Sequence, residues 1–446
     1  MTHTLIYPHT ARHNEAGHLE IGGCDVVELA DRFGTPLFIY DEQTLRDQCR
    51  AYVSAFGGLV AQLGAGYEIV YASKAFSCRA ICELVAEEGL SLDVASGGEL
   101  ATAILAAFPP RRIYFHGNYK TAPEVQLAFD GGIGHFVVDS LDEIEALNAE
   151  ARRRGMRQDV LVRVTPGVQP DTHAAVQTGQ QDSKFGFGLG DGLAREAVAG
   201  LMAAPDLRLT GVHAHIGSQI FDMSSYRRTI ELLVSALADW RRDLGFECRL
   251  FNLGGGLGIR YTPQDLPASI AEFAAVAVTA IAEQVARHGL VMPRILVEPG
   301  RSVAAKAAVT AYRVGIVKRI PGRRTYVAVD GGMSDNLRPM LYGSRYEAML
   351  AAKADEPATV EVTVAGKHCE SGDVLVRDVA VAPPEAGDIL VTPSTGAYGY
   401  AMANNYNGQP RPAVVLVCNG TARVIIERET WADVLRLQRP LHPPRD

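Results

Sequence analysis

The sequence contains little cysteine and no closely spaced cysteine pair. Among its 446 residues only seven are cysteine, and they are scattered along the chain without a CxxC motif. An odd, dispersed set of cysteines is typical of a reducing compartment and favours neither a disulfide framework nor a structural zinc site. We therefore expect a cytoplasmic protein without a metal centre.

Long apolar runs and an excess of positive charge are also missing. The most apolar long segment, residues 274–286, is alanine-rich and contains Glu283, so it predicts a packed helix rather than a membrane span. No basic stretch followed by an apolar core begins the chain, so we expect no secretory signal. The formal net charge of −8 argues against a nucleic-acid partner and against binding to an anionic membrane.

Short apolar segments alternate with helical patterns from about residue 67 to residue 308. Alternation of this kind predicts parallel strands connected by helices, such as the helical segments 141–154 and 226–242. The eight predicted strands are 68–72, 91–95, 112–115, 135–139, 159–164, 209–213, 249–253 and 294–297. Eight such units favour a closed (β/α)8 TIM-type barrel, while an open doubly wound sheet remains the alternative architecture.

The pattern changes after about residue 309. Valine-rich runs separated by turn residues predict a second, mostly antiparallel β domain. The runs are 308–317, 325–329, 359–364, 389–391, 413–418 and 422–427. Segment 35–40 also reads as a strand that can pair with this domain. The prediction is therefore a barrel at 40–308 and a discontinuous β domain formed by 1–39 and 309–446.

Unusual polar residues and glycines fall at or just after the ends of the predicted strands. In a barrel, these positions lie on the rim where the βα loops build active sites. Lys74 follows the first strand, and a lysine amine can form a Schiff base with a carbonyl cofactor. The more common alternative is an ordinary lysine that reaches solvent or makes an ion pair.

Two late loops of the predicted barrel have features of a phosphate site. Glycines at 254–256 let backbone approach a phosphate closely, and the alternative explanation is a plain tight turn. Ser218 adds a hydroxyl to the same rim. Glu298, after the eighth strand, could keep a pyridine nitrogen protonated, and its alternative role is a salt bridge with a neighbour such as Arg301.

Two histidines, His213 and His215, follow the sixth strand. Alternate residues of a strand point the same way, so they could be read as a metal pair. No third ligand with matching spacing is evident, and we favour a histidine stacked on a flat cofactor or satisfied in the core.

Two further clusters lie in the predicted β domain. Residues 368–373 place Cys369 beside acidic residues, where a thiol could donate a proton, although most single cysteines are inert. Residues 396–408 are dense in glycine, tyrosine and asparagine, which is typical of a structural loop or of a binding loop.

Seven short motifs follow one another along the chain. They are Tyr-Ala-Ser-Lys-Ala at 71–75, Gly-Gln-Gln-Asp-Ser-Lys-Phe-Gly-Phe-Gly at 179–188, His-Ala-His-Ile-Gly-Ser-Gln at 213–219, Asn-Leu-Gly-Gly-Gly at 252–256, Val-Glu-Pro-Gly-Arg at 297–301, Cys-Glu-Ser-Gly-Asp at 369–373 and Gly-Ala-Tyr-Gly-Tyr at 396–400. In this order the chain resembles the diaminopimelate decarboxylases, within the barrel-type (fold type III, alanine-racemase-like) decarboxylases that use pyridoxal 5'-phosphate. The resemblance covers about residues 35–425. It implies decarboxylation of meso-2,6-diaminopimelate to L-lysine and CO2, the last step of lysine biosynthesis.

The resemblance also implies a role for each matching residue. Lys74 would carry the cofactor, His215 would stack on its ring, and Glu298 would pair with the ring nitrogen. The residues implied around the phosphate are Ser218, Gly255, Gly256, Gly300, Arg301 and Tyr398. The residues implied at the substrate are Arg301, Arg338, Tyr342, Glu370 and Tyr398. Cys369 would serve in protonation and, with Glu370, would reach into the neighbouring subunit's site, which implies a homodimer with shared active sites.

Other readings stay open at this stage. A related decarboxylase acting on ornithine, arginine or carboxynorspermidine is the nearest, and the segment around Arg338 and Tyr342 favours diaminopimelate over it. A racemase of this class usually places an arginine at the ring nitrogen, where this chain has Glu298. A non-catalytic cofactor-binding protein would not need Lys74, Cys369 and Arg338 together.

Overall fold

The computed structural model describes residues 5–168 and 183–442. Most of the predicted loop at 177–184 and the start of the motif at 179–188 therefore lie outside the described residues. The strands are β1 (Arg12–His13), β2 (Leu19–Ile21), β3 (Cys24–Asp25), β4 (Leu37–Asp41), β5 (Tyr67–Ala72), β6 (Ser91–Val94), β7 (Ile113–Phe115), β8 (His135–Val138), β9 (Gln158–Thr165), β10 (Phe187–Gly188), β11 (Leu207–His213), β12 (Leu250–Asn252), β13 (Arg294–Val297), β14 (Ala308–Ile320), β15 (Arg324–Val329), β16 (Met349–Leu350), β17 (Val360–Ala365), β18 (Val374–Val381), β19 (Ile389–Pro393), β20 (Ala413–Cys418) and β21 (Thr421–Ile426).

Several helices begin at capping residues. They are α1 (Val26–Phe33), α2 (Glu42–Ala61), α3 (Arg79–Glu87), α4 (Gly97–Leu105), α5 (Ala122–Asp130), α6 (Leu141–Arg153), α7 (Leu193–Ala203), α8 (Ser224–Leu244), α9 (Ile270–Arg287), α10 (Arg301–Ala304), α11 (Arg338–Tyr342) and α12 (Trp431–Leu435). Ser96, Ser140 and Ser269 each accept a hydrogen bond from the backbone of the helix that follows. No helix among the described residues has both the length and the apolar composition that a membrane span requires.

The chain forms two compact units. The barrel unit comprises Arg46–Ile259 and Leu266–Val303, and the β unit comprises Met1–Leu45, Arg260–Asp265 and Ala304–Asp446. The sequence-based domain boundaries at residues 40 and 308 stay a prediction.

Eight parallel strands close into a barrel in the barrel unit. Their order is β5, β6, β7, β8, β9, β11, β12 and β13, and β13 pairs in parallel with β5, for example Ile295 with Tyr67. The interior is filled by apolar side chains from several strands, including Val70, Val137 and Leu161, each at most 1% exposed. Because the sheet closes, the open-sheet alternative is wrong and the predicted barrel is confirmed, with all eight predicted strands present.

The β unit contains a mixed sheet that is mostly antiparallel, as predicted. Its central strand β4 pairs antiparallel with β14 and parallel with β20. The N-terminal segment 35–40 therefore does pair with the C-terminal part of the chain, through Leu37 beside Ala311 and Ala413. Strand β18 and the small sheet β1–β2–β3 are elements that the sequence analysis did not predict.

Candidate active site

A buried carboxylate, Glu298, lies directly after β13 at the rim of the barrel and is 6% exposed. Asn252 Nδ2 donates to its Oε1 at 2.7 Å, and His213 Nε2 lies 3.1 Å from its Oε2. His116 Nε2 is 2.9 Å from Oε1, at ion-pair distance but outside hydrogen-bond geometry. Asn252 Oδ1 also accepts from Gly254 N at 2.8 Å, so the same amide fixes the carboxylate and the glycine turn.

The surroundings of Glu298 keep it ionised. Burial by itself would raise its pKa, but His116 and His213 hold that pKa well below its usual range. Burial lowers the pKa of His213 to about 4, so this imidazole is neutral and donates from Nε2. For His116, burial opposes charge, but Asp93 and Glu298 raise its pKa overall. The site therefore contains a fixed anion beside one histidine that favours its charged form.

Lys74 lies in a short 3-10 turn, Ser73–Ala75, directly after β5. Its side chain is exposed, whereas Ser73 and Ala75 are buried. Its charge acts on Asp93, whose pKa is raised by burial and lowered in part by His116 and Lys74. The amine of Lys74 is therefore accessible, and it lies near buried acids such as Asp93.

His215 is oriented by the glycine turn after β12. Gly255 N donates to His215 Nδ1 at 3.2 Å, which leaves the ring hydrogen on Nε2. Burial first, and the nearby Lys74 charge second, lower the pKa of His215 well below its usual value. The ring is therefore a neutral, fixed surface at the rim.

The glycines of this region leave no room for side chains. A Cβ on Gly255 would lie 2.2 Å from the carbonyl oxygen of Glu298, and one on Gly256 would lie 2.5 Å from the carbonyl oxygen of Gly217. Gly256 also has a φ of +115°, and a Cβ on Gly300 would lie 3.0 Å from two alanine Cβ atoms. The loops after β11, β12 and β13 therefore approach one another closely through their backbones. A backbone cradle for a phosphate requires such close packing.

Arg301 and Ser218 contact each other beside this cradle. Arg301 is buried, and its Nε and Nη2 donate to Ser218 Oγ at 3.1 and 2.7 Å. Glu298 does pair with neighbouring side chains, as its alternative role supposed, but these partners are His116 and His213. A guanidinium and a hydroxyl together are suited to bind an anion.

The sequence analysis linked none of His116, His213 and Asn252 to Glu298. It also found no third metal ligand near the histidine pair. In the structure the potential ligand atoms of His116, His213 and Glu298 lie within 4.8 Å of one another, and His215 is not among them. The sequence signal that could have identified these residues is a polar side chain at the end of an apolar strand.

Three of the predicted substrate residues of the β unit form a cluster. Arg338, the first residue of α11, is buried, and its guanidinium carbon lies 5.4 Å from the ring centroid of Tyr342 and 5.5 Å from that of Tyr398. The structure therefore brings these three predicted residues together. Tyr261 and Tyr346, which the sequence analysis missed, also contact Arg338.

Cys369 and Glu370 lie on the loop between β17 and β18. Cys369 is exposed and Glu370 is partly exposed. Cys369 N donates to Asn407 Oδ1 at 3.2 Å, and Asp373 Oδ2 accepts from His368 N at 2.9 Å, so the loop has a defined path. Both side chains are accessible on the surface of the single chain.

Comparison with known families identifies the class. The family described as "Pyridoxal-dependent decarboxylase, pyridoxal binding domain" matches residues 42–305. The accessible amine of Lys74, the carboxylate of Glu298 and the close-packed glycine loops are groups of the kinds that a pyridoxal phosphate site requires. Fold, site and family match together define a barrel-type decarboxylase that depends on pyridoxal phosphate.

Individual relatives identify the family within this class of decarboxylases. Diaminopimelate decarboxylase of Bacillus subtilis is 47% identical over 433 residues, covering 97% of each chain. The enzyme of that name from Mycobacterium bovis is 43% identical over 442 residues, again covering 97% of each. A crystal structure of diaminopimelate decarboxylase from M. jannaschii in complex with L-lysine is 34% identical, with a TM-score of 0.90, covering 97% of this chain and 98% of that one. The chain belongs to the diaminopimelate decarboxylase family.

Proposed function

We propose that the chain decarboxylates meso-2,6-diaminopimelate to L-lysine and CO2 with pyridoxal 5'-phosphate as cofactor, as the last step of lysine biosynthesis. The observation that carries the choice of substrate is Arg338. It is a buried guanidinium that forms no ion pair with an acidic side chain in residues 5–168 and 183–442. A buried cation of this kind is suited to an anionic ligand, and the substrate has a second carboxylate.

The residues of the barrel rim bind and orient the reacting groups. When bound, pyridoxal phosphate supplies the electron sink for the pair released from the Cα–carboxylate bond. Lys74 would hold the cofactor through its amine, Glu298 would keep a proton on the ring nitrogen, and His215 would support the ring. The phosphate contacts are assigned to Ser218, Gly255, Gly256, Gly300, Arg301 and Tyr398.

The β unit contributes substrate selection. Arg338 and Tyr342, with Arg301 and Tyr398, form the proposed contacts to the substrate's carboxylates. A guanidinium fork can bind a carboxylate through two parallel hydrogen bonds, and this geometry is specific as well as strong. An amino acid without the second carboxylate would leave that fork unpaired, which costs binding energy.

A homodimer with shared sites is part of the proposal. Exposed Cys369 would deliver a proton to the Cα carbon in the neighbouring subunit's site, and Glu370 would meet the distal amine there. The accessibility of both side chains supports this arrangement. The seven free cysteines support the further proposal of a cytoplasmic location.

The closest competing function is decarboxylation of a related amino acid such as ornithine, arginine or carboxynorspermidine. A substrate panel separates these activities: CO2 release is measured from each amino acid with the enzyme reconstituted with pyridoxal phosphate. We expect kcat/KM for meso-diaminopimelate to exceed that for L-ornithine and L-lysine by at least about a thousandfold.

The Arg338→Ala variant tests the assigned cause of this preference. Activity on diaminopimelate should fall by about a hundredfold or more, while the slow turnover of ornithine should change little. Comparable turnover of ornithine and diaminopimelate by the unmodified enzyme would refute the proposed role of Arg338.

A further inference from the structure

The guanidinium of Arg338 is held along one edge by neutral hydroxyls. Its Nε donates to Tyr346 Oη at 3.1 Å, and its Nη2 donates to Ser344 Oγ at 3.2 Å. Both acceptors lie just beyond α11, whose C-cap residue Gly343 has a φ of +61°. This left-handed residue reverses the chain, so that Ser344 and Tyr346 reach back to the start of the same helix.

Aromatic rings surround the same guanidinium. Its carbon lies 5.4 to 5.6 Å from the ring centroids of Tyr261, Tyr342 and Tyr398, which is cation–π distance. Tyr346 is 4% exposed and packs edge-on against Tyr261 at 5.2 Å, so its hydroxyl has a fixed position. The rings and hydroxyls partly compensate for burial of the charge, but none of them neutralises it.

The N–H donors of Arg338 that Tyr346 and Ser344 do not use lie along one edge of the guanidinium. An arginine carries five N–H donors, of which Tyr346 uses one and Ser344 uses another. Nη1 has no hydrogen-bond acceptor among the described residues, and one N–H of Nη2 remains beside it. These two nitrogens form the end of the fork that binds a carboxylate in two-pronged fashion.

We propose that Tyr346 and Ser344 are positioning residues that determine substrate specificity through Arg338. By holding Nε and one N–H of Nη2, they aim the Nη1–Nη2 edge at the carboxylate that the reaction leaves in place. This inference rests on the proposed function and deepens it. The retained carboxylate is present in diaminopimelate and in the product L-lysine, but it is absent from 1,5-diaminopentane.

The Tyr346→Phe variant tests the inference because it keeps the ring and removes the acceptor. We expect KM for meso-diaminopimelate and the inhibition constant of L-lysine to rise together by about tenfold. The kcat should stay within about twofold, and inhibition by 1,5-diaminopentane should not change. Ser344→Ala should produce the same pattern with a smaller increase.

A matched control is Tyr326→Phe, which removes a tyrosine hydroxyl beside Arg324 in the same unit. It should leave all of these constants unchanged. The inference is overturned if Tyr346→Phe leaves KM and lysine inhibition unaltered. It is also overturned if kcat falls at constant KM, or if the diamine is weakened as much as lysine, since each would indicate a merely structural role.

Two further outcomes separate the positioning role from the proposed function. If Tyr346→Phe does not fold, Ser344→Ala decides the question by the same constants. If the unmodified enzyme releases no CO2 from diaminopimelate, the proposed function fails. An active enzyme whose variants bind lysine normally would refute only the positioning role.

Discussion

At the scale of the residue, the account depends on a carboxylate that stays charged although it is buried. Glu298 is 6% exposed, a position in which a lone carboxylate would take up a proton. Contacts with His116, His213 and Asn252 favour the ionised form instead. An anion fixed in this way can keep a pyridine nitrogen protonated, which a neutral side chain cannot do.

Replacing Glu298 by Gln tests this electrostatic role. The amide has nearly the same shape but no charge, so we expect kcat to fall by about a hundredfold or more. The variant should still fold and retain the cofactor, because Lys74 and the phosphate contacts remain. Steady-state kinetics and the cofactor's absorbance measure these two properties.

Glu68→Gln is the matched control for that substitution. Glu68 is a partly buried carboxylate at the beginning of β5 that accepts a hydrogen bond from Ser91. This substitution should leave kcat within about twofold. Equal losses in the two variants would indicate damage to the barrel rather than a role for Glu298 at the ring nitrogen.

Some of these residues could be predicted from the sequence and others could not, because only some of them stand out in the local pattern. Lys74 and Glu298 could be singled out locally, because each polar side chain follows an apolar strand. His116 and Asn252 could not be linked to Glu298, since their contacts exist only after β7, β12 and β13 are brought together in the closed barrel. Pairings between residues far apart in sequence leave no local pattern.

At the scale of the element, buried parallel strands were the easiest to predict. Strands such as β8 and β13 are apolar after their first residue because both faces are covered. Strand β18 was missed although it is rich in valine. Adjacent exposed residues Arg377 and Asp378 interrupt its alternation, and Asp378 has a φ of +52°.

The glycine turn after β12 supports a prediction at this scale. A Cβ on Gly255 would meet the Glu298 carbonyl oxygen at 2.2 Å, so Gly255→Ala must push two loops apart. We expect a folded barrel whose affinity for pyridoxal phosphate falls by at least about tenfold. Titration of the apoenzyme with the cofactor, followed by absorbance, measures this change.

Gly58→Ala provides the comparison for the glycine turn. Gly58 lies within α2, and a Cβ there would have no atom within 4 Å. Its replacement by alanine should leave cofactor affinity unchanged. If Gly255→Ala also binds the cofactor normally, the close approach of the loops is not needed for the phosphate site.

At the scale of the whole molecule, strand β4 links the two ends of the chain. It lies between β14 and β20, which follow it by more than 250 residues, as the pair Leu37 and Ala311 illustrates. The sequence indicated that a strand was present and that it could join the later domain, but not its neighbours. The register depends on contacts that only the folded sheet creates.

The proposed shared active sites make a prediction for mixtures of inactive variants. Lys74→Ala and Cys369→Ala should each be nearly inactive as homodimers. After random exchange of equal amounts, about half of the dimers are mixed, and each of these has one site with both defects and one site with neither, so about a quarter of the normal activity should return. Activity assays before and after mixing measure the recovery.

The recovery has a clear control. Mixing Lys74→Ala with Glu298→Gln should restore nothing, because both residues belong to the same subunit's barrel. If Lys74→Ala and Cys369→Ala also fail to complement after confirmed subunit exchange, Cys369 acts within its own chain or not at all.

The most direct measurement is reduction of the purified enzyme with borohydride, followed by mass mapping of the labelled peptide. The account predicts a stoichiometric pyridoxyl adduct on Lys74, in the peptide containing residues 71–75, and none in the Lys74→Ala protein. An adduct at another lysine, or unchanged labelling after Lys74 is removed, would contradict the assignment of the barrel rim as the cofactor site.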